Sequence, residues 1–161
     1  MHLLDLVISI SIFLIVLLFL YIQIEKNIAR EKEKLSQLEA NFVADSIVSA
    51  LFYSYGYYSD WATKISDPSD ESLRAIGTAE SYLKIDKYKL EKLNQIYYNN
   101  YTKKKLGFRQ FDGDINITFL NGTNLMYIGD YDGNKKILAY KKVFGTYEDQ
   151  IIILKVRVWE K

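Results

Sequence analysis

The sequence predicts an α+β protein in which one long N-terminal helix packs on an antiparallel β-sheet meander. Three observations predict it. The chain opens on an apolar stretch, Leu6 to Ile24, broken only by Ser9, Ser11, Tyr21 and Gln23. From Glu25 to Tyr53 there is neither Pro nor Gly, and apolar residues recur at helical spacing. From Asp112 onward, short alternating runs are separated by polar turns.

The first element is a membrane anchor over residues 1–24. An apolar span of about 20 residues, rising roughly 1.5 Å each, matches a hydrocarbon core of roughly 30 Å. After Asp5 no Lys, Arg, Asp or Glu interrupts it. A cleaved signal peptide is the rival reading. It would carry a basic head, a shorter apolar core and a small-residue cleavage site. Here no Lys or Arg precedes the apolar run, and no Ala-x-Ala site follows it.

Residues 25–53 continue the helix. Glu25, Lys26, Arg30, Glu31, Lys32, Glu33 and Lys34 are good helix formers of mixed charge. Apolar residues at Ile28, Leu35, Leu38, Phe42, Val43, Ile47, Ala50 and Leu51 describe one amphipathic stripe. A single helix from about Leu3 to Tyr53 would be roughly 75 Å long at about 1.5 Å per residue. Its first half sits in lipid and its second lays one face on a globular domain. The alternative, an anchor followed by an independent soluble helix, has no helix breaker to support it.

Residues 54–161 are expected to form one head domain, long enough for a compact core. With 21 Lys and Arg against 20 Asp and Glu, the balance gives no reason to expect nucleic acid. Cysteine is absent, which removes disulfides, Cys-type zinc sites and thiol catalysis. Orientation has evidence on both sides. Lys26 and Arg30, just past the span, favour a cytoplasmic head by the positive-inside rule. Three glycosylation sequons, at Asn100, Asn116 and Asn121, are usable only outside the cytoplasm.

Within the head, residues 54–107 read as loops and helix. Gly56 and Asp67-Pro68-Ser69 mark turns. From Asp86, a candidate N-cap, Tyr88, Leu90, Leu93, Tyr97 and Tyr101 keep helical spacing, and Lys103-Lys104-Lys105 before Gly107 suits a C-terminus. Strands follow at Ile115–Phe119, Leu125–Ile128, Lys136–Phe144 and Ile151–Trp159, with turns at Asn121–Asn124, Gly129–Asn134 and Gly145–Asp149. One such sheet against the amphipathic helix buries both apolar faces.

Chemistry-bearing residues are few. His2, the only histidine, lies at the membrane end, so no His-based triad or zinc site is expected in the head. Asp130, Asp132 and Asn134 place oxygen ligands at alternate positions like the start of a calcium loop, but no acid follows between Ile137 and Lys142. A β-turn is the plainer reading, and Asp112-Gly113-Asp114 reads the same way. The aromatic residues Phe52, Tyr53, Tyr55, Tyr57, Tyr58 and Trp61 form either a binding surface or, more simply, core and a wrap over the helix end. The lysine run Lys103–Lys105 reads as a charged helix terminus.

The order of motifs resembles the archaeal type IV pilin-like proteins. Gly56-Tyr57-Tyr58-Ser59-Asp60-Trp61 is similar to that family's Gly-x-Pro-x-x-Trp loop, with Tyr58 in the place of Pro. Ile76-Gly77-Thr78-Ala79 matches its Ile-Gly-x-Ala turn. Lys89-Leu90 with Tyr98, Leu106-Gly107, and Ile115 and Ile117 follow in order. No basic leader with a processing site precedes the apolar helix, so the numbering either begins near the mature end or the N-terminus is kept.

The resemblance implies a pilin-like fold with residues 54–161 as an extracytoplasmic α+β head. It implies that Asp5, if Met1 is at or near the mature end, neutralises the free N-terminal amine during filament assembly, and that Leu3, Leu6, Ile10, Phe13 and Leu17 belong to an assembly face. Apart from that, Asp5 reads as an acid at the helix start among lipid headgroups, where it suits the macrodipole. The function implied is a structural filament subunit at the cell surface, a major or minor pilin and not an enzyme. Its partners would be copies of itself or related pilins, with membrane lipid before assembly and no cofactor. The alternative is a non-polymerising anchored domain for adhesion or an envelope complex. A tethered hydrolase is a third class, for which no catalytic constellation stands out.

Overall fold

The computed structural model describes residues 2–56, 59–64, 75–96, 100–108 and 110–161. Met1, Tyr57, Tyr58, the Asp67-Pro68-Ser69 turn, Tyr97 and Tyr98 lie outside the described residues, as do the side chains of His2, Leu3, Asn100 and Tyr101. The chain forms two compact units, Met1–Gln37 and Leu38–Lys161.

Helix α1 (His2–Phe52) is continuous, as the absence of Pro and Gly requires. Among the described residues of the first unit it is the only element, and it is long and apolar enough to cross a membrane. In the second unit its last turns bury Ala40, Val43, Ala44, Ile47, Val48, Leu51 and Phe52 in the core. Steps of three and four put these on one face. This face is not the whole stripe expected from the sequence. Ile28, Leu35, Leu38 and Phe42 are exposed, whereas Val43, Ile47 and Leu51 are buried. The helix carries more apolar positions than one sheet can cover. The buried face is the one with Ala40 and Ala44, whose small side chains allow close approach.

Around the end of α1 the chain forms α2 (Trp61–Lys64), β1 (Ala79–Ser81) and β2 (Lys84–Ile85). Then come α3 (Lys87–Ile96) and α4 (Asn100–Leu106). Asp86 is the N-cap of α3, its Oδ1 accepting from the Lys89 amide at 2.9 Å. Gly107, at φ 104°, ends α4. Its amide donates to Lys104 O and the Phe108 amide to Lys103 O, both at 3.1 Å, which is a Schellman motif. Within the helical stretch expected from Asp86 to Lys105, the described residues form α3 and α4.

The head's sheet contains β3 (Phe111–Phe119), β4 (Asn124–Ile128), β5 (Ile137–Tyr147) and β6 (Gln150–Glu160). Its order is β1-β2-β5-β6-β3-β4, with β2 parallel to β5 and every other pair antiparallel. The expected meander is thus corrected to a mixed sheet. Two local hairpins, β3–β4 and β5–β6, join through β6 and β3. The physical reason is pairing length. A meander would set the five-residue β4 between long strands, whereas here β6 pairs with β3 from Phe111↔Glu160 to Phe119↔Ile152. The short strand goes to the edge. Ile115, Ile117, Ile152, Leu154, Val156 and Val158 point inward and are fully buried. The β5–β6 turn is shorter than expected. Only Glu148 and Asp149 form it, at φ 46° and 61°, as in a type I′ turn.

Candidate functional site

Three places in the molecule hold the residues singled out by sequence or by geometry. The first is the outer surface of α1. Asp5 lies in the first turn, exposed, where an acid suits the helix dipole. Leu6, Ile10, Phe13 and Leu17 recur at steps of four and three, so they share a face. From Leu4 to Ile24 the large apolar side chains are 40% to 69% exposed. In the second unit, Leu38 and Phe42 are each 67% exposed. They border a groove of about 440 Å³ lined also by Glu39, Val43, Gln110 and Phe111. Gln110 Nε2 donates to Glu39 Oε2 at 2.9 Å across it.

The second place is the knot at the C-terminus of α1, where the loosely spaced motifs meet. Helix ends leave carbonyls without partners. Here Thr78 N donates to Ala50 O at 3.2 Å, Thr78 Oγ1 to Leu51 O at 2.7 Å, and Leu83 N to Phe52 O at 3.3 Å. The Trp61 indole donates to Gly77 O at 2.8 Å. A Cβ on Gly56, at φ +82°, would stand 2.6 Å from Trp61 Cδ1, and one on Gly77 would fall on Ser54 O and Gly56 N. Lys89, only 8% exposed, donates from Nζ to Tyr55 O at 3.0 Å. The aromatic group therefore divides. Phe52 and Trp61 are core, while Tyr53 and Tyr55 are half exposed and Tyr53 packs on Tyr82 with ring centroids 5.4 Å apart.

The third place is the outer side of β3 and β6. Asp114, directly opposite Arg157, is fully buried. Arg157 Nε donates to Asp114 Oδ1 at 2.9 Å, a second guanidinium nitrogen donates to Oδ2, and Tyr127 OH donates to Oδ2 at 3.1 Å. The bidentate contact with Asp114 raises the Arg157 pKa above its ordinary value. Burial, then the charge and hydrogen bond of Asp114, push the Tyr127 hydroxyl up. The guanidinium also lies 4.1 Å from the Tyr131 ring centroid, and Tyr131 packs on Trp159 at 5.4 Å. A cation on an aromatic face is held by the ring's electron density.

Next to this cluster is a depression of about 890 Å³ lined by Lys103, Lys104, Asp112, Lys135, Trp159 and Lys161, among others. Trp159 Nε1 is buried with no hydrogen-bond acceptor among the described residues. An unpaired buried donor costs about 1–3 kcal/mol. Sequence reasoning missed both the pair and the depression. The turn expected at Asp112-Gly113-Asp114 is instead part of β3, which begins at Phe111, and the β3–β6 register sets Asp114 opposite Arg157.

The sequons fall in different settings. Asn100 opens α4, and its Thr102 is fully buried, with Oγ1 donating to Ile96 O at 2.9 Å. Asn116 is half-buried within β3, and Thr118 beside it is buried. Asn121 stands in the exposed β3–β4 turn with Thr123 exposed beside it, and its Oδ1 accepts from the Thr123 amide at 2.9 Å. In the calcium-like loop, Asp132 Oδ1 accepts from the Asn134 amide at 3.0 Å, and Asp130 faces Lys135 at 3.9 Å. These contacts are those of an Asx turn. Among the described residues no group of three or more His, Asp or Glu is placed to hold a metal ion.

Comparison with known proteins finds no matching family model, no matching curated protein and no matching solved structure.

Proposed function

We propose that this chain is a membrane-anchored structural subunit, major or minor, of an archaeal type IV pilus-like surface filament, assembled through α1 with its head outside the cell. One observation carries the reading: the apolar surface of α1 is uncovered well past its lipid-length stretch. Lipid accounts for Leu4 to Ile24. It gives no account of Leu35, Leu38 and Phe42, which lie beyond the charged run Glu25 to Lys34 and are all exposed. A neighbouring helix of a second copy, or of a related pilin, would cover them. Asp5 then meets the N-terminal amine of a neighbour, because a carboxylate carried into an apolar bundle needs a partner. The second reading, a non-polymerising anchor serving adhesion or an envelope complex, leaves Leu38 and Phe42 to water or to a partner of another kind.

The test is mass spectrometry of filaments sheared from the native cells, together with Asp5→Ala. The expected result is abundant chain in the sheared fraction, lost in Asp5→Ala while the head keeps its circular dichroism. A chain that stays in the membrane fraction, or normal filaments from Asp5→Ala, would overturn the proposal.

A further inference from the structure

No residue of α1 lines the depression beside α4. Its lining sets Lys103, Lys104, Lys135 and Lys161 against Asp112 and Glu160. In a chain with 21 Lys and Arg and 20 Asp and Glu, that is a marked local excess of positive charge. Lys103 is tied to Asp112 at 2.7 Å, but Lys135 has Asp130 only at 3.9 Å. Lys104 is exposed and has no carboxylate partner among the described residues. The surroundings act on Asp112. Burial raises its pKa, but the Lys103 hydrogen bond, the Gly113 amide and the charges of Lys103 and Lys135 outweigh burial and lower it.

The same wall holds a second, independent feature. Trp159 is 1% exposed, and its indole N–H has no acceptor among the described residues. Lys135 Nζ lies over the face of that ring, 5.0 Å from its centroid, so one of the ammonium groups stands directly against Trp159. Gly113 helps to shape it, since a Cβ there would fall on the Phe108 ring, which lines the depression. An oxyanion in the depression takes charge-assisted hydrogen bonds from the ammonium groups, and the Trp159 ring beside Lys135 senses it. Phe108 and Trp159 are both buried, so the depression offers no exposed apolar side chain to an acyl chain. That favours a water-soluble anion over a lipid surface.

We propose that the depression formed by α4, β3, Lys135 and the end of β6 binds the carboxylate or phosphate group of a soluble ligand, with Lys103, Lys104 and Lys135 as its donors and the Trp159 ring against Lys135 as its reporter.

The experiment is NMR of the full chain in a non-ionic detergent, following the two tryptophan indole signals. The Trp61 indole is already engaged with Gly77 O at 2.8 Å and serves as an internal reference. Inorganic phosphate and galacturonate are titrated at constant ionic strength set with chloride. The Trp159 signal is expected to move to saturation while the Trp61 signal stays in place. The double substitution Lys104→Glu with Lys135→Gln is expected to weaken binding by roughly tenfold or more, the loss of a charged hydrogen bond. Should that variant not fold, Lys104→Ala, at an exposed residue, is expected to weaken binding several-fold. A Trp159 signal that does not move, that moves equally with chloride, or whose affinity survives loss of the lysines would overturn the proposal. Binding only to anionic phospholipid vesicles would overturn it as well.

Discussion

Asp114 is a carboxylate taken wholly out of water, and it is tolerable only because its oxygens accept from Arg157 and Tyr127. Asp114→Asn keeps the shape and removes the charge that Arg157 answers. The expected loss is about 2–3 kcal/mol, at the low end for a buried pair because the Arg157 side chain stays 27% exposed. Tyr127→Phe removes one hydrogen bond and is expected to cost about 1 kcal/mol. Urea denaturation midpoints measure both. The tyrosine also sets a pH dependence. Its folded pKa is raised above the ordinary value of about 10, so at higher pH the unfolded chain has lost a proton that the folded chain keeps. Stability therefore falls as pH rises above that value. Tyr127→Phe should make the fall shallower, leaving the part due to Tyr147, which burial and then Glu148 raise, and to Lys87, which its hydrogen bond to Glu148 raises. Equal pH dependence in both proteins would contradict this account.

At the scale of elements, local signals were legible and distant pairings were not. The Asp86 cap, the Leu106-Gly107 helix end and both hairpins follow from residues within a few positions of one another. The sheet order depends on which long strands meet, and no spacing encodes that. β1 and β2 went unseen because they are three and two residues long. They exist because Thr78 and Leu83 close the carbonyls at the end of α1 and Thr146 N donates to Leu83 O at 2.8 Å. The Gly56 and Ile76-Gly77-Thr78-Ala79 motifs looked independent in sequence, yet they form one knot with Trp61 and Lys89. Gly77→Ala places a methyl against backbone atoms that cannot give way, and it is expected to cost about 3 kcal/mol. Gly122→Ala meets nothing within 4 Å, so only its φ of +89° is strained and about 1 kcal/mol is expected. Thermal melts of the two variants separate steric exclusion from backbone strain. Similar losses would mean that the knot relaxes around the methyl.

At the scale of the whole molecule, the same helix faces two different environments within neighbouring residues. Val43 is buried in the head's core, and Phe42, one position away, is two-thirds exposed. The sequence places both in one apolar stripe, because periodicity counts apolar residues without saying which of them a sheet has room to cover. The candidate anion site was hidden for a related reason. Its lysines look like ordinary solvated charge until α4, β3 and β6 bring them around one unpaired indole. Phe42 and Val43 give a direct test of what the uncovered face is for. Val43→Asp buries an unpaired carboxylate and should unfold the head. Phe42→Asp removes an exposed ring and should change head stability by less than about 0.5 kcal/mol. If the face is covered by a second subunit, Phe42→Asp nevertheless abolishes filaments or leaves only short ones in electron micrographs, with the chain retained in the membrane. If filaments from Phe42→Asp match the unmodified protein in number and length, assembly does not use this face. The exposed stripe would then have to be explained by some contact other than subunit packing.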